Sequence, residues 1–132
     1  MRRKKKSSRS AVAAVELAIC LPLLITLVMG SIECCNVLFL KQSLQTAAYE
    51  SIRIAVLPGG ESGEAISRGN DFLDQREVKD YEVSFYPTDV SSTSAGDEIT
   101  ATVRANLQSN TSLLGWIFET GTLSATVTMT KT

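Results

Sequence analysis

Glu16 is the side chain in this 132-residue chain whose position most asks for a chemical explanation. It heads Leu17–Ile32, a run with no charge that is mostly Leu, Ile, Val and Ala. A carboxylate well inside a membrane costs about 2.5–3.5 kcal/mol on insertion scales, so it is kept where a partner or a headgroup can reach it. Two chemistries fit. Glu16 can be held by a cationic partner, or it can sit at headgroup level and favour the positive end of its own helix. Glu33, at the far end of the run, either marks the outer interface or bridges to a partner helix.

Other reactive groups are sparse. There is no His, which removes the commonest general base and metal ligand. Cys20, Cys34 and Cys35 all lie in or beside the apolar run. Adjacent Cys34 and Cys35 point to different helix faces and suit neither a zinc site nor a CxxC redox pair. They read as small apolar fillers, with a subunit–subunit disulfide as the second reading. Glu61, Glu64, Asp71, Asp74 and Glu77 read as a solvated face, without the glycine and spacing of a calcium loop. No phosphate-binding glycine loop and no nucleophile elbow occurs. The sequence therefore predicts a non-enzymatic protein with no catalytic residue, no cofactor, no metal and no small-molecule substrate.

The element that must carry Glu16 is a helix over residues 10–57 with two solvents along its length. Leu17–Leu40 is 24 residues, about 36 Å of helix, enough to cross a bilayer core of about 30 Å. The charge-free part alone is 16 residues, about 24 Å, so the span draws on Glu33–Leu40 or a thinned bilayer. Pro22 falls inside it, as a kink that helps the helix tilt or as a position the packing tolerates. After Leu40, the residues Leu44, Ala47, Ala48, Ser51, Ile52, Ala55 and Val56 recur at i+3 and i+4, with Lys41, Gln45, Glu50 and Arg53 between them. That is an amphipathic, water-facing helix with one face to bury. The first stop is Pro58-Gly59-Gly60.

Charge is distributed unevenly. Six of the 13 basic residues stand in the first nine positions; the remainder holds seven against 14 acids, a net −7. A basic tail before an apolar span places the N-terminus in the cytoplasm and the domain outside. A nucleic-acid patch is the weaker reading, because no aromatics interleave with the cluster. The resulting divisions are a basic leader, 1–11; the membrane part of the helix, 12–40; its amphipathic continuation, 41–57; and a small extracytoplasmic domain, 58–132.

Within 58–132 the pattern changes. Glu61–Glu77 reads as a short second helix with Ala65, Ile66, Phe72 and Leu73 on its apolar face and Gly69 and Asn70 weakening its middle. Three segments then alternate with period two, Tyr81–Tyr86, Glu98–Asn106 and Leu123–Thr130. They describe an antiparallel sheet of about three strands with one dry face, for which Leu44–Val56 is the obvious cover. The fold class is α+β: a long N-terminal helix, a short second helix and a small antiparallel sheet. Trp116, Ile117 and Phe118 in the most apolar loop either cap the sheet or anchor a subunit contact.

Four readings compete for Ala11–Leu40: a cleaved secretory signal, a lipoprotein signal, a plain anchor and a prepilin-type leader. Ala13-Ala14-Val15-Glu16-Leu17-Ala18, followed by Leu21-Pro22-Leu23-Leu24, resembles the opening of the TadE-like proteins. These are pseudopilins of the tight-adherence, or Flp, pilus machinery of bacteria. The stretch Gln42–Val56, with its Ala47-Ala48 and Arg53, is similar to the end of the family's helix. The resemblance implies a membrane aspartyl prepilin peptidase cutting Ala11–Val12 on the cytoplasmic side, which makes Glu16 the fifth mature residue. It implies that Glu16 pairs with the mature amine of a neighbouring subunit. The implied partners are the membrane, other pilin-like subunits and the assembly platform, in the bacterial inner membrane or a pilus. The sequence departs from the family where Ala11 replaces glycine and where Leu17 stands in a place often aromatic. The competing reading is an unprocessed, single-pass anchored binding domain; a membrane-anchored enzyme is a distant third.

Overall fold

The computed structural model describes residues 7–112 and 121–132. Helix α1 runs from Ser7 to Ala55 without interruption through Pro22. At 49 residues it is about 74 Å long. Contacts divide the chain into two units, residues 1–34 and residues 35–132. The described residues of the first unit are all helix. Its large apolar side chains are exposed, from Val12 and Val15 through Leu23, Leu27 and Ile32. Glu33, by contrast, is buried at 3% exposure.

The second unit is the α+β domain that the alternating segments predict. Helix α2 spans Ser62–Gln75, and strands β1 (Tyr81–Tyr86), β2 (Glu98–Asn106) and β3 (Thr122–Thr130) form one antiparallel sheet in the order β1-β2-β3. The meander keeps register throughout, from Tyr81 opposite Ala105 to Tyr86 opposite Thr100, and from Glu98 opposite Thr130 to Asn106 opposite Thr122. Two short pieces stand where the sequence reads only as connection. One is a single 3-10 turn, Val90–Ser92, whose Val90 amide donates to Ser62 Oγ at 2.9 Å while the Asp89 carboxylate accepts from the Ser91 amide at 3.0 Å. The other is helix α3, Leu107–Asn110, capped by Asn106, which accepts from the Gln108 amide.

The core is one cluster. Leu40, Leu44, Ala47, Ala48, Ile52, Ala55 and Val56 of the α1 end meet Val83, Phe85, Ile99, Ala101, Val103, Ala105 and Ala125 of the sheet, with Ala65 and Leu73 of α2. Every one of the stripe residues expected from α1 is buried. Alanines at positions 47, 48 and 55 let the helix lie close to the sheet, where longer side chains would hold it off. The wet face carries hydroxyls, and Thr100 and Thr128 hydrogen-bond across β2 and β3 at 3.0 Å. Lys41 donates to the Ser124 carbonyl on edge strand β3, placing a charge at an otherwise uncharged edge. The chain end closes the domain: the Thr132 amide and hydroxyl both donate to the Val56 carbonyl, at 3.1 and 2.8 Å, and Lys131 donates to the Val90 carbonyl at 2.6 Å.

Two backbone features set the path of α2. After α1 the chain folds back so tightly that a Cβ on Gly60 would stand 2.4 Å from the Ile54 carbonyl oxygen, so no other residue fits there. At its far end α2 terminates in a Schellman motif. The Val78 amide reaches the Leu73 carbonyl and the Glu77 amide the Asp74 carbonyl, with Val78 and Leu73 both buried. The left-handed position belongs to Glu77, at φ 56°, a conformation that costs a non-glycine residue about 1–2 kcal/mol. Glu77→Gly is therefore expected to raise domain stability by about 0.5–1 kcal/mol in a urea titration, since part of the relief is offset by a looser unfolded chain.

Gly69, which weakens α2 as a helix former, is buried at the crossing with α1. A Cβ there would lie 2.2 Å from Ser51 Oγ and 3.3 Å from Val83 Cγ2. Ser51 Oγ is itself buried with no hydrogen-bond partner among the described residues. Gly69→Ala should cost about 1–2 kcal/mol, overpacking outweighing the gain in helix propensity. Ser51→Ala alone should be neutral or mildly stabilising, because it removes an unpaired buried hydroxyl. In a double-mutant cycle read by urea unfolding, Ser51→Ala should recover most of the Gly69→Ala loss. Purely additive effects would contradict the crossing geometry.

Candidate functional site

The N-terminal unit places the predicted site residues on one exposed helix. Ala11, Val12, Glu16 and Pro22 all belong to α1, and each is exposed. Val12 and Glu16 are one turn apart, about 6 Å along the axis and on one face. Proline lacks the amide that would bond the carbonyl four residues earlier, so Pro22 leaves the Ala18 carbonyl without its usual helical donor. The hydroxyls that follow are satisfied within the helix. Thr26 Oγ1 donates to the Pro22 carbonyl at 2.9 Å and Ser31 Oγ to the Leu27 carbonyl at 2.8 Å. A hydroxyl closed on its own backbone carries little penalty in lipid. Leu23, Thr26, Leu27, Gly30, Ser31 and Cys34 line an open, almost wholly apolar groove of about 590 Å³ along this part of α1.

The three cysteines are free thiols, and all are exposed. They fill no core within the chain. Trp116, Ile117 and Phe118, the expected cap or subunit contact, lie outside the described residues. Among the described residues no three His, Cys, Asp or Glu side chains gather to hold a metal. The arrangement can insert in lipid, offer a carboxylate and pack against another helix.

Two groupings in the domain were not foreseen. Arg76, at the C-terminal end of α2, lies over the rings of both Phe39 and Phe72, with its guanidinium carbon 5.5 and 5.2 Å from their centres. It lines a cleft of about 170 Å³ with Asn36, Phe39, Leu40, Glu77, Val78 and Asn110. Nothing in sequence spacing links Phe39 to Arg76; only the packing of α2 on α1 does so. The second grouping is Tyr81, whose hydroxyl donates to Asp74 Oδ1 at 2.5 Å. Burial pushes its pKa up to about 12, helped by the hydrogen bond to Asp74 and by the charges of Asp74 and Asp71, which disfavour a phenolate.

The Tyr81 shift has a definite sign. The folded state holds its proton more tightly than the unfolded state, whose tyrosine titrates at 10.0. The stabilisation is thus complete below pH 10 and lost as pH rises through about 12. An ultraviolet titration should show a phenolate step near the upper limit of that window which Tyr81→Phe abolishes. A Tyr81 step at the ordinary value would contradict the Asp74 contact.

Helix α1 is long and apolar enough to cross a membrane. Residues 11–53 match the family model described as TadE-like protein. No curated protein and no solved structure matches the chain. The matched residues begin at Ala11, take in Glu16 and Pro22, and end on the amphipathic turn at Arg53. Over residues 11–53, about a third of its length, the chain is similar to the TadE-like proteins, a family associated with the Tad pilus.

Proposed function

We propose that this protein is a non-enzymatic minor pilin, or pseudopilin, that sits in the inner membrane and serves assembly of a tight-adherence pilus or related secretion apparatus. The single observation that carries the reading is Glu16, an acid at the head of an apolar helix, four residues after the Val12 with which the matched segment all but begins. In this reading residues 1–11 are a cytoplasmic leader, 12–40 span the membrane, 41–57 form the domain's helical spine, and 58–132 fold outside. A prepilin peptidase cuts Ala11–Val12. The new amine, with the positive end of the helix dipole, supplies the cation that a neighbouring Glu16 needs. The apolar groove from Leu23 to Cys34 receives a neighbouring helix of the apparatus.

One observation favours a second reading, in which the chain stays an unprocessed anchor. The bond Ala11–Val12 lies inside α1, which begins at Ser7. A protease takes extended backbone, so the first turn must unwind to be cut.

The test is the mature N-terminus, read by intact mass and terminal-peptide mass spectrometry from membranes that contain a prepilin peptidase. A start at Val12 is expected, and a retained basic tail would favour the unprocessed anchor. Glu16→Ala should leave both cleavage and insertion intact and abolish assembly of the pilus, scored by electron microscopy. Normal piliation in that variant would reduce Glu16 to an interfacial carboxylate.

A further inference from the structure

We infer that Arg76, held over Phe39 and Phe72, is a lipid-headgroup contact through which the outer domain rests on the bilayer, its guanidinium taking the phosphodiester of a membrane phospholipid. The inference rests on reading residues 12–40 as the membrane-spanning part of α1.

Phe39 stands at the end of that span and is 49% exposed, so its ring lies where hydrocarbon gives way to headgroups. Arg76 reaches the same level by its contact with the Phe39 ring at 5.5 Å. The opposite end of the domain is fixed independently, where Thr132 binds the Val56 carbonyl, the Gly96 amide binds the Lys131 carbonyl and the Ser94 amide binds Asp97. Sixteen residues separate Phe39 from Ala55, about 24 Å along the helix. Among the described residues, Arg76 therefore lies at the end of the domain where α1 enters it.

Its chemistry suits a phosphodiester. Arg76 is exposed, and among the described residues it forms no salt bridge. The two rings hold the cation beside apolar surface at 5.5 and 5.2 Å, and a guanidinium carries several N–H donors that suit phosphate oxygens. The aromatic rings beneath it tolerate the boundary between apolar and wet surroundings. Lys79 adds a second exposed cation beside the cleft, where its backbone amide and carbonyl are both held by Asn110. The Glu77 carboxylate lines the same cleft and opposes an anion there. The contact would fix how deep α1 sits and keep the domain from swinging freely above the membrane.

The test uses the full chain, with Cys20, Cys34 and Cys35 replaced by alanine, in nanodiscs of phosphatidylcholine and phosphatidylglycerol doped with nickel-chelating lipid. Single nitroxide labels are placed at Lys79→Cys, Ser94→Cys and Val28→Cys. The label at 79 is expected to relax several-fold faster in the presence of the nickel lipid than the label at 94. Arg76→Gln should lower the value at 79 towards that at 94, and Glu77→Gln should raise it. Equal relaxation at 79 and 94, or a value at 79 indifferent to Arg76→Gln, would overturn the headgroup contact. The label at 28 separates this from the reading beneath it. Oxygen-accessible and nickel-shielded, it shows the span inserted whatever happens at 79; water-exposed, it overturns both.

Discussion

The burial of one stripe of α1 by a three-stranded sheet is the interaction on which the domain depends. Leu40, Leu44, Ala47, Ala48, Ser51, Ile52 and Ala55 are each nearly or wholly inaccessible, and they meet the buried face of β1, β2 and β3. A domain of this size has little core to spare. The constraint reaches outward from the stripe. Alanines at the contact bring helix and sheet together, Gly69 brings α2 down on Ser51, and Gly60 returns the chain sharply enough for α2 to start beside the helix it has just left. The terminal Thr132 then ties the far end of the sheet to Val56.

The same helix meets the opposite demand in its first half. From Val12 to Ile32 its apolar side chains face outward, which suits lipid and would be costly in water. The polar groups that persist there are dealt with locally, since Thr26 and Ser31 close on their own helix. Glu16 is the exception, because no neighbouring backbone group can neutralise a carboxylate. A side chain that cannot be satisfied by its own helix is the natural place to look for a second molecule, and the TadE-like match over residues 11–53 falls around it. What this half of α1 presents is an exposed apolar surface with one carboxylate near its head.

Much of this was legible in the sequence, for physical reasons. Period-two alternation gave β1 and β2 to the residue and β3 to within one, because one face of each strand is buried and the other wet. The i+3, i+4 recurrence from Leu44 to Val56 named the buried face of α1 correctly. What escaped depended on contacts between residues far apart in the chain. Strand order is set by packing, not by alternation. Gly69 read as a weakness of α2 because propensity is local, whereas its role is to let α1 approach. Glu77 gave no sign of its left-handed backbone, a position usually given to glycine. The pairing of Arg76 with Phe39 had no signal, since neither residue is unusual until α2 is laid on α1. The division of α1 between membrane and domain was read from hydropathy, which reports the solvent each stretch prefers.

That division is the central claim, and amide hydrogen exchange along α1 tests it most directly, on the full chain in lipid nanodiscs. The account predicts protection from Leu17 through Ala55 without a break. Over residues 17–40 it should depend on the bilayer, and over 41–55 it should fall together with that of the sheet when the domain is unfolded by urea. Rapid exchange across Leu17–Ile32 in nanodiscs, or an unprotected gap between Cys34 and Lys41, would contradict a single helix shared between lipid and core.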